Sequence, residues 1–328
     1  MRKYLTGTAA ALCVAFAALT TGFADEGWIV DFEAAKELAA KEGKDILMEF
    51  TGSDWCPPCI ALKKKVLDTD VFKTKAPEKF ILLKLDSPRD KSKQTPAEIA
   101  QYRKLSEEFK VTGVPTIILA DAKGRPFAKM VGFGGQEPDA YVSNLTEQQS
   151  VRTKRDEALA KAEKAEGTER AKLLDSAISG IESELAVAQY RELVDEIVKL
   201  DGENQAGLKA KYEEILKSGE VRKALMDIRR SVASIGPDET LKKVDELIEK
   251  MAPTGEGLQE ALFLKATLLF RNEKDKSKET LEAAMKVAPE SRLGKQIQQI
   301  LATQFKDEPA GEKKEEKTEA KDEKKEEK

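Results

Sequence analysis

The run Ile46-Leu47-Met48-Glu49-Phe50-Thr51-Gly52-Ser53-Asp54-Trp55-Cys56-Pro57-Pro58-Cys59 constrains the fold more than any other part of the chain. Ile46 to Phe50, apolar apart from Glu49, reads as a strand buried on both faces. Thr51 to Asp54 reads as a small polar turn, and the two cysteines mark the start of a helix from Cys56 to about Leu67. Proline is tolerated in a first helical turn, where its missing N–H has no intrahelical partner, so Pro57 and Pro58 stiffen the turn without breaking the helix. A sulfur at that end lies beside unpaired backbone N–H groups and the positive end of the helix dipole, and both favour thiolate over thiol. A Cys56 thiolate can attack a disulfide, and Cys59, one turn later, can resolve the mixed disulfide by a second exchange.

Composition narrows what else the pair could do. The chain contains no histidine, which removes the commonest general base and the commonest metal ligand, and with them most catalytic triads and transition-metal sites. The third cysteine, Cys13, lies in the apolar stretch Ala9 to Leu19, which follows Arg2 and Lys3 and precedes Gly22-Phe23-Ala24. Residues 1–24 are therefore expected to be a secretory signal peptide cleaved after Ala24. An uncleaved anchor is the alternative, because Leu5 to Phe23 is almost long enough to span a bilayer. After cleavage only Cys56 and Cys59 remain, too few for a four-ligand zinc site and fewer than a structural disulfide framework normally shows. A redox pair that needs neither metal nor cofactor is the economical reading. Acids and bases, 60 against 56, nearly cancel to a net charge of -4, so nucleic acid is not an implied partner.

The order of elements can be read around this centre. Asp31 is a candidate N-cap for a helix carrying Phe32, Ala35, Leu38 and Ala39 to Gly43. The helix from Cys56 is expected to turn Ile60, Leu62, Val66 and Leu67 toward the core. Phe80 to Asp86 reads as a second buried strand with Lys84 in it, Ser87 to Thr95 as a polar loop, and Pro96 as the start of a helix through Ile99, Tyr102, Leu105 and Phe109. Gly113-Val114-Pro115-Thr116 then leads into a strand to Leu119. Asp121-Ala122-Lys123-Gly124 is a tight-turn signal before a returning strand from Pro126 to Phe133, and a last helix begins near Pro138.

Taken together, residues 25–148 resemble a thioredoxin-fold domain of the periplasmic type. The resemblance rests on the strand Ile46 to Phe50, Trp55-Cys56-Pro57-Pro58-Cys59, the strand Phe80 to Asp86, and Gly113-Val114-Pro115-Thr116 before a strand and hairpin. It implies that Cys56 attacks, that Cys59 resolves, and that Pro115 is a cis-proline. It also implies that the Val114 backbone pairs with an extended substrate, with Trp55, Pro57 and Pro58 around it. Glu49 falls where thioredoxins place a buried acid, if one extra residue is allowed in Thr51 to Asp54, and Lys84 where they place a lysine. Two readings stand side by side there: a carboxylate of raised pKa that takes a proton from Cys59, or a carboxylate that is structural, paired with Lys84 or facing solvent at a strand edge. The implied activity is an exported, periplasmic thiol–disulfide oxidoreductase acting on proteins with disulfides or thiols and served by a membrane-borne electron donor. Pro57-Pro58 adds neither histidine nor charge to stabilise the thiolate, so the reading leans to reductase or isomerase.

From Val151 the strand patterns vanish and apolar residues follow helical spacing, as in Leu173, Leu174, Ala177, Ile178 and Ile181, or Leu193, Val194, Ile197, Val198 and Leu200. Residues 149–306 are expected to form an all-α domain. Its clearest unit, Leu258 to Arg292, is similar to a tetratricopeptide repeat in length and in its small residues Ala261, Ala266 and Ala284. Such helices either hold a protein partner or serve as a spacer or oligomerisation module, and a helical adaptor with the first domain as scaffold is the alternative function. Residues 307–328, rich in Lys and Glu, are expected to be a disordered tail.

Overall fold

The computed structural model describes residues 23–25 and 27–305. The expected signal peptide, apart from Phe23 and Ala24, and the expected tail lie outside these residues. At the centre of the first part is the strand Asp45–Thr51, every residue of which is buried. Six strands form one sheet: β1 (Phe23–Asp25), β2 (Trp28–Ile29), β3 (Asp45–Thr51), β4 (Phe80–Asp86), β5 (Thr116–Ala120) and β6 (Pro126–Val131), in the spatial order β1-β2-β4-β3-β5-β6. β3 runs parallel to β4 and antiparallel to β5, so both its edges are hydrogen-bonded. Its apolar run is what such a position requires.

Helices cover the sheet. α1 (Phe32–Glu42) is capped by Asp31, whose carboxylate accepts from the Ala34 N–H, and ends at Gly43 with φ of 66°, a left-handed conformation that glycine adopts without strain. α2 (Pro57–Leu62) continues as a π-helical turn, Lys63–Leu67. Its buried stripe is Cys59, Leu62 and Val66, at helical spacing, and Ile60, expected in the core, lies off that stripe and is 46% exposed. α3 (Asp70–Lys75), absent from the sequence reading, is capped by Thr69 and puts Phe72 into the core, stacked on Trp28 at 6.2 Å. α4 (Pro96–Glu108) opens on a full capping box between Thr95 and Glu98. Its Gln101 accepts from the Phe32 N–H and donates to the Val30 carbonyl, tying it to the start of α1.

α5 (Pro138–Ala162) runs without a break across 148/149, the division expected from composition. By compactness the chain divides instead within a later helix, between Glu213 and Glu214. Polar contacts bridge the 148/149 position. Arg155 of α5 is fully buried; it donates to the Asp121 carboxylate in the β5–β6 turn and to the Tyr190 hydroxyl, each at 2.8 Å. Tyr190 in turn donates to the Pro126 carbonyl at 2.7 Å. At the same end of the sheet Asp45, the first residue of β3, accepts from Arg152 and Gln149. α6 (Gly167–Ile178), α7 (Ser183–Gln189) and α8 (Arg191–Leu200) complete this unit, with Leu174, Ala177, Ile178, Val194 and Ile197 buried.

α9 (Leu208–Ile235) leads into the second unit, which contains α10 (Pro237–Met251), α11 (Gly255–Leu269), α12 (Lys274–Val287) and α13 (Arg292–Gln304). Ala261, Leu264, Ala266 and Leu269 of α11 are buried, as are Leu281 and Ala284 of α12. Gln259, also buried, donates to the Ala284 and Ala288 carbonyls and accepts from Ser291, the cap of α13. Among the described residues no helix is long and apolar enough to cross a membrane.

Tyr190→Phe leaves Arg155 and the Pro126 carbonyl each short of a buried partner. The variant is expected to lose about 1–3 kcal/mol in urea unfolding. An unchanged midpoint would mean that the buried arginine needs no tyrosine.

Candidate active site

The redox pair sits where β3 hands over to α2. Cys56 is the N-cap of α2, in extended conformation, and its Sγ accepts from the Cys59 N–H at 3.3 Å. One of the orphan donors of the helix start thus points at the sulfur. Cys56 and Cys59 are joined as a disulfide, and both are buried. The Val114–Pro115 peptide bond is cis, and the Val114 carbonyl oxygen lies 3.5 Å from Cys56 Sγ. Pro57 and Pro58 are exposed on the first turn, Val114 is half-buried and Pro115 buried. Trp55 is 39% exposed, with its indole N–H donated to the Ser87 carbonyl at 2.8 Å.

Glu49 and Lys84 are register partners on β3 and β4. Glu49 is buried, so the solvent-facing alternative does not apply. Burial pushes its carboxyl up to about 7, against the charges of Lys84 and Lys63, which pull it down. Glu49 and Cys59 line one cavity of about 60 Å³, together with Lys63 and Lys84. It is large enough for water, which could carry a proton between the two side chains. Lys84 also lines a second, larger cavity of about 150 Å³ with Asp86, Gln94 and Gln101.

The structure thus gathers all the singled-out residues around one end of the sheet. It also brings in residues that the sequence reading passed over as turn and loop. The Ser53 N–H and hydroxyl both donate to Asp86, at 3.0 and 2.5 Å. Asp54 accepts from the Arg89 N–H at 2.8 Å and the Asp90 N–H at 3.3 Å. The available signal was the residue types themselves, since Ser and Asp in turns habitually bond backbone N–H groups.

Residues 32–146 match the family model described as a thioredoxin-like domain. The disulfide bond reductase DsbH of Chlamydia pneumoniae is 33% identical over 114 residues, 35% of this chain and 68% of that one. The thioredoxin-related protein DsbJ of the same organism is 26% identical over 109 residues, 33% of this chain and 31% of its own length. A solved structure of a DsbH oxidoreductase is 30% identical, covering 37% of this chain and 82% of that chain with a TM-score of 0.35.

Because the Glu49 pKa is higher in the folded than in the unfolded chain, stability falls as pH rises from the ordinary value of 4.5, and the loss is complete above about 7. The penalty is absent below the unfolded pKa. Glu49→Gln is therefore expected to stabilise the protein by about 3 kcal/mol at pH 8 and to change little at pH 4, read by urea unfolding. Equal effects at the two pH values would place the carboxyl in a solvated setting.

Proposed function

The chain belongs to the thioredoxin-like family, and from that premise we propose that it is an exported disulfide reductase, periplasmic, acting on envelope proteins through Cys56 and Cys59. Its chemistry is that of a thiol–disulfide oxidoreductase. The observation that carries the reading is Cys56 as a helix N-cap, bonded to Cys59, with the Val114 carbonyl beside its sulfur. The reducing direction is supported by the similarity to a disulfide bond reductase and by a Pro57-Pro58 spacer that brings no positive charge to the thiolate. Export is supported by Arg2, Lys3 and the apolar stretch behind them.

In the reduced protein the Cys56 thiolate attacks one sulfur of a client disulfide; an S–S bond forms between Cys56 and that sulfur, and the other client sulfur leaves as thiolate. The client chain lies extended along the Val114 backbone, with Trp55, Pro57 and Pro58 beside it. Cys59 gives its proton toward Glu49 through the shared cavity and attacks Cys56 Sγ, with Lys84 holding the Glu49 charge in check. The client leaves with both sulfurs reduced, and the protein holds the two-electron disulfide. A dithiol donor, membrane-borne in this reading, restores the cysteines by the reverse exchange.

Cys56→Ser is expected to abolish insulin reduction by the reduced protein, and retained activity would sink the mechanism. The reduction potential of the pair, set against glutathione or dithiothreitol buffers, is expected near or below about -270 mV, the region of thioredoxins. A value near about -120 mV, that of strong dithiol oxidants, would reverse the proposed electron flow.

A further inference from the structure

Of the three residues before Cys56, Ser53 bonds the last residue of β4, and Asp54 and Trp55 bond the short loop that follows it. Ser53 holds the Asp86 carboxylate through its N–H and hydroxyl, Trp55 donates its indole N–H to Ser87, and Asp54 takes the N–H groups of Arg89 and Asp90, one on each carboxylate oxygen. The far side of the loop is closed by the Ser92 N–H and hydroxyl on Asp90 and by Gln94 donating to the Asp86 carbonyl at 2.7 Å. Gly52 makes room for the arrangement: a Cβ there would come within 2.5 Å of the Trp55 ring. Loop 87–93 is therefore a wall built onto the redox turn rather than a free connection.

We propose that Asp54 is a positioning residue, whose two hydrogen bonds keep loop 87–93 and Trp55 fixed beside Cys56 as one side of the client-binding surface. This rests on the reductase reading above, because it concerns how a protein client is held during that reaction. Asp54 is on the surface and lies next to Trp55, not in the sulfur chemistry. The Arg89 N–H above all, with that of Asp90, holds its carboxyl below the usual range, so the carboxylate stays ionised and accepting at neutral pH. A charge-assisted hydrogen bond to backbone N–H is among the stronger local restraints available to a loop. Without it, the loop must be ordered each time a client binds, at the expense of conformational entropy. A small disulfide that touches only the sulfurs needs no such wall.

The test uses the full chain as wild type, Asp54→Ala and Asp54→Asn, with insulin as protein client and an aryl disulfide as small one. Asp54→Ala is expected to raise KM for insulin roughly fivefold. Its kcat, its rate with the aryl disulfide and the reduction potential of the cysteine pair should stay unchanged. Asp54→Asn, which keeps an acceptor oxygen, should fall between the two. Amide hydrogen exchange reads the latch without any client: Arg89 and Asp90 should be protected in wild type and exchange faster in Asp54→Ala. Unchanged exchange, or equal losses with insulin and the aryl disulfide, would overturn the proposal. A wild type that protects both amides yet reduces no insulin would instead overturn the reductase reading and leave the latch standing as structure.

Discussion

A strand that is hydrogen-bonded along both edges and covered on both faces has no freedom left, and whatever follows it inherits a fixed position. β3 is such a strand. Its last residue, Thr51, accepts from the Ser87 N–H, and five residues later Cys56 stands at the first turn of α2. The disulfide is buried and still adjoins the surface, and the turn from Gly52 to Trp55 that leads to it is tied to Asp86 and Ser87. Packing of the core around Leu47, Leu62, Phe72 and Phe80 therefore decides where the sulfurs are, long before any sulfur chemistry is considered.

Two opposed electrostatic settings meet at this point. The helix start offers Cys56 a backbone N–H and a positive dipole end, both of which favour negative charge. Glu49 lies where burial disfavours negative charge. A pair of groups whose surroundings push their proton affinities in opposite directions is a common way to separate a nucleophile from a proton acceptor. Lys84 moderates the second setting without abolishing it, and it alone borders both cavities named above.

Much of this was legible in the residues. Continuous apolar runs announced β3 and β4, and Asp31 and Gly43 bracketed α1, while the place of Pro115 beside the sulfurs came from the resemblance to the thioredoxin fold. Glu49 stood out as the one polar residue of its run, but whether it was buried or faced solvent was settled only by the fold. The rest depended on partners that periodicity does not encode. α3 is short and has one buried apolar residue, Phe72, so it carries no stripe. Ile60 is apolar but stands a third of a turn off the buried line of its helix. Arg155 sits in a charged stretch, and beside its neighbour Asp156 it needs Asp121 and Tyr190, both more than thirty positions away, to make its burial tolerable. Asp54 looked like turn punctuation until the loop it grips was in place.

The Arg155 cluster has a bearing on modularity. A redox domain is commonly pictured as a cassette that can be cut out wherever composition changes and joined to something else. Here a second guanidinium on the hairpin carboxylate, beside that of Arg125, comes from beyond that change, and the hydroxyl that completes the cluster comes from farther still. A recombination event at residue 148 would carry away a domain whose Asp121 kept Arg125 but lost Arg155, with an uncovered Pro126 carbonyl. The first unit that could travel intact ends near residue 213. A copy of this redox domain that kept every partner of Arg155 would carry α5, α6 and α7 with it.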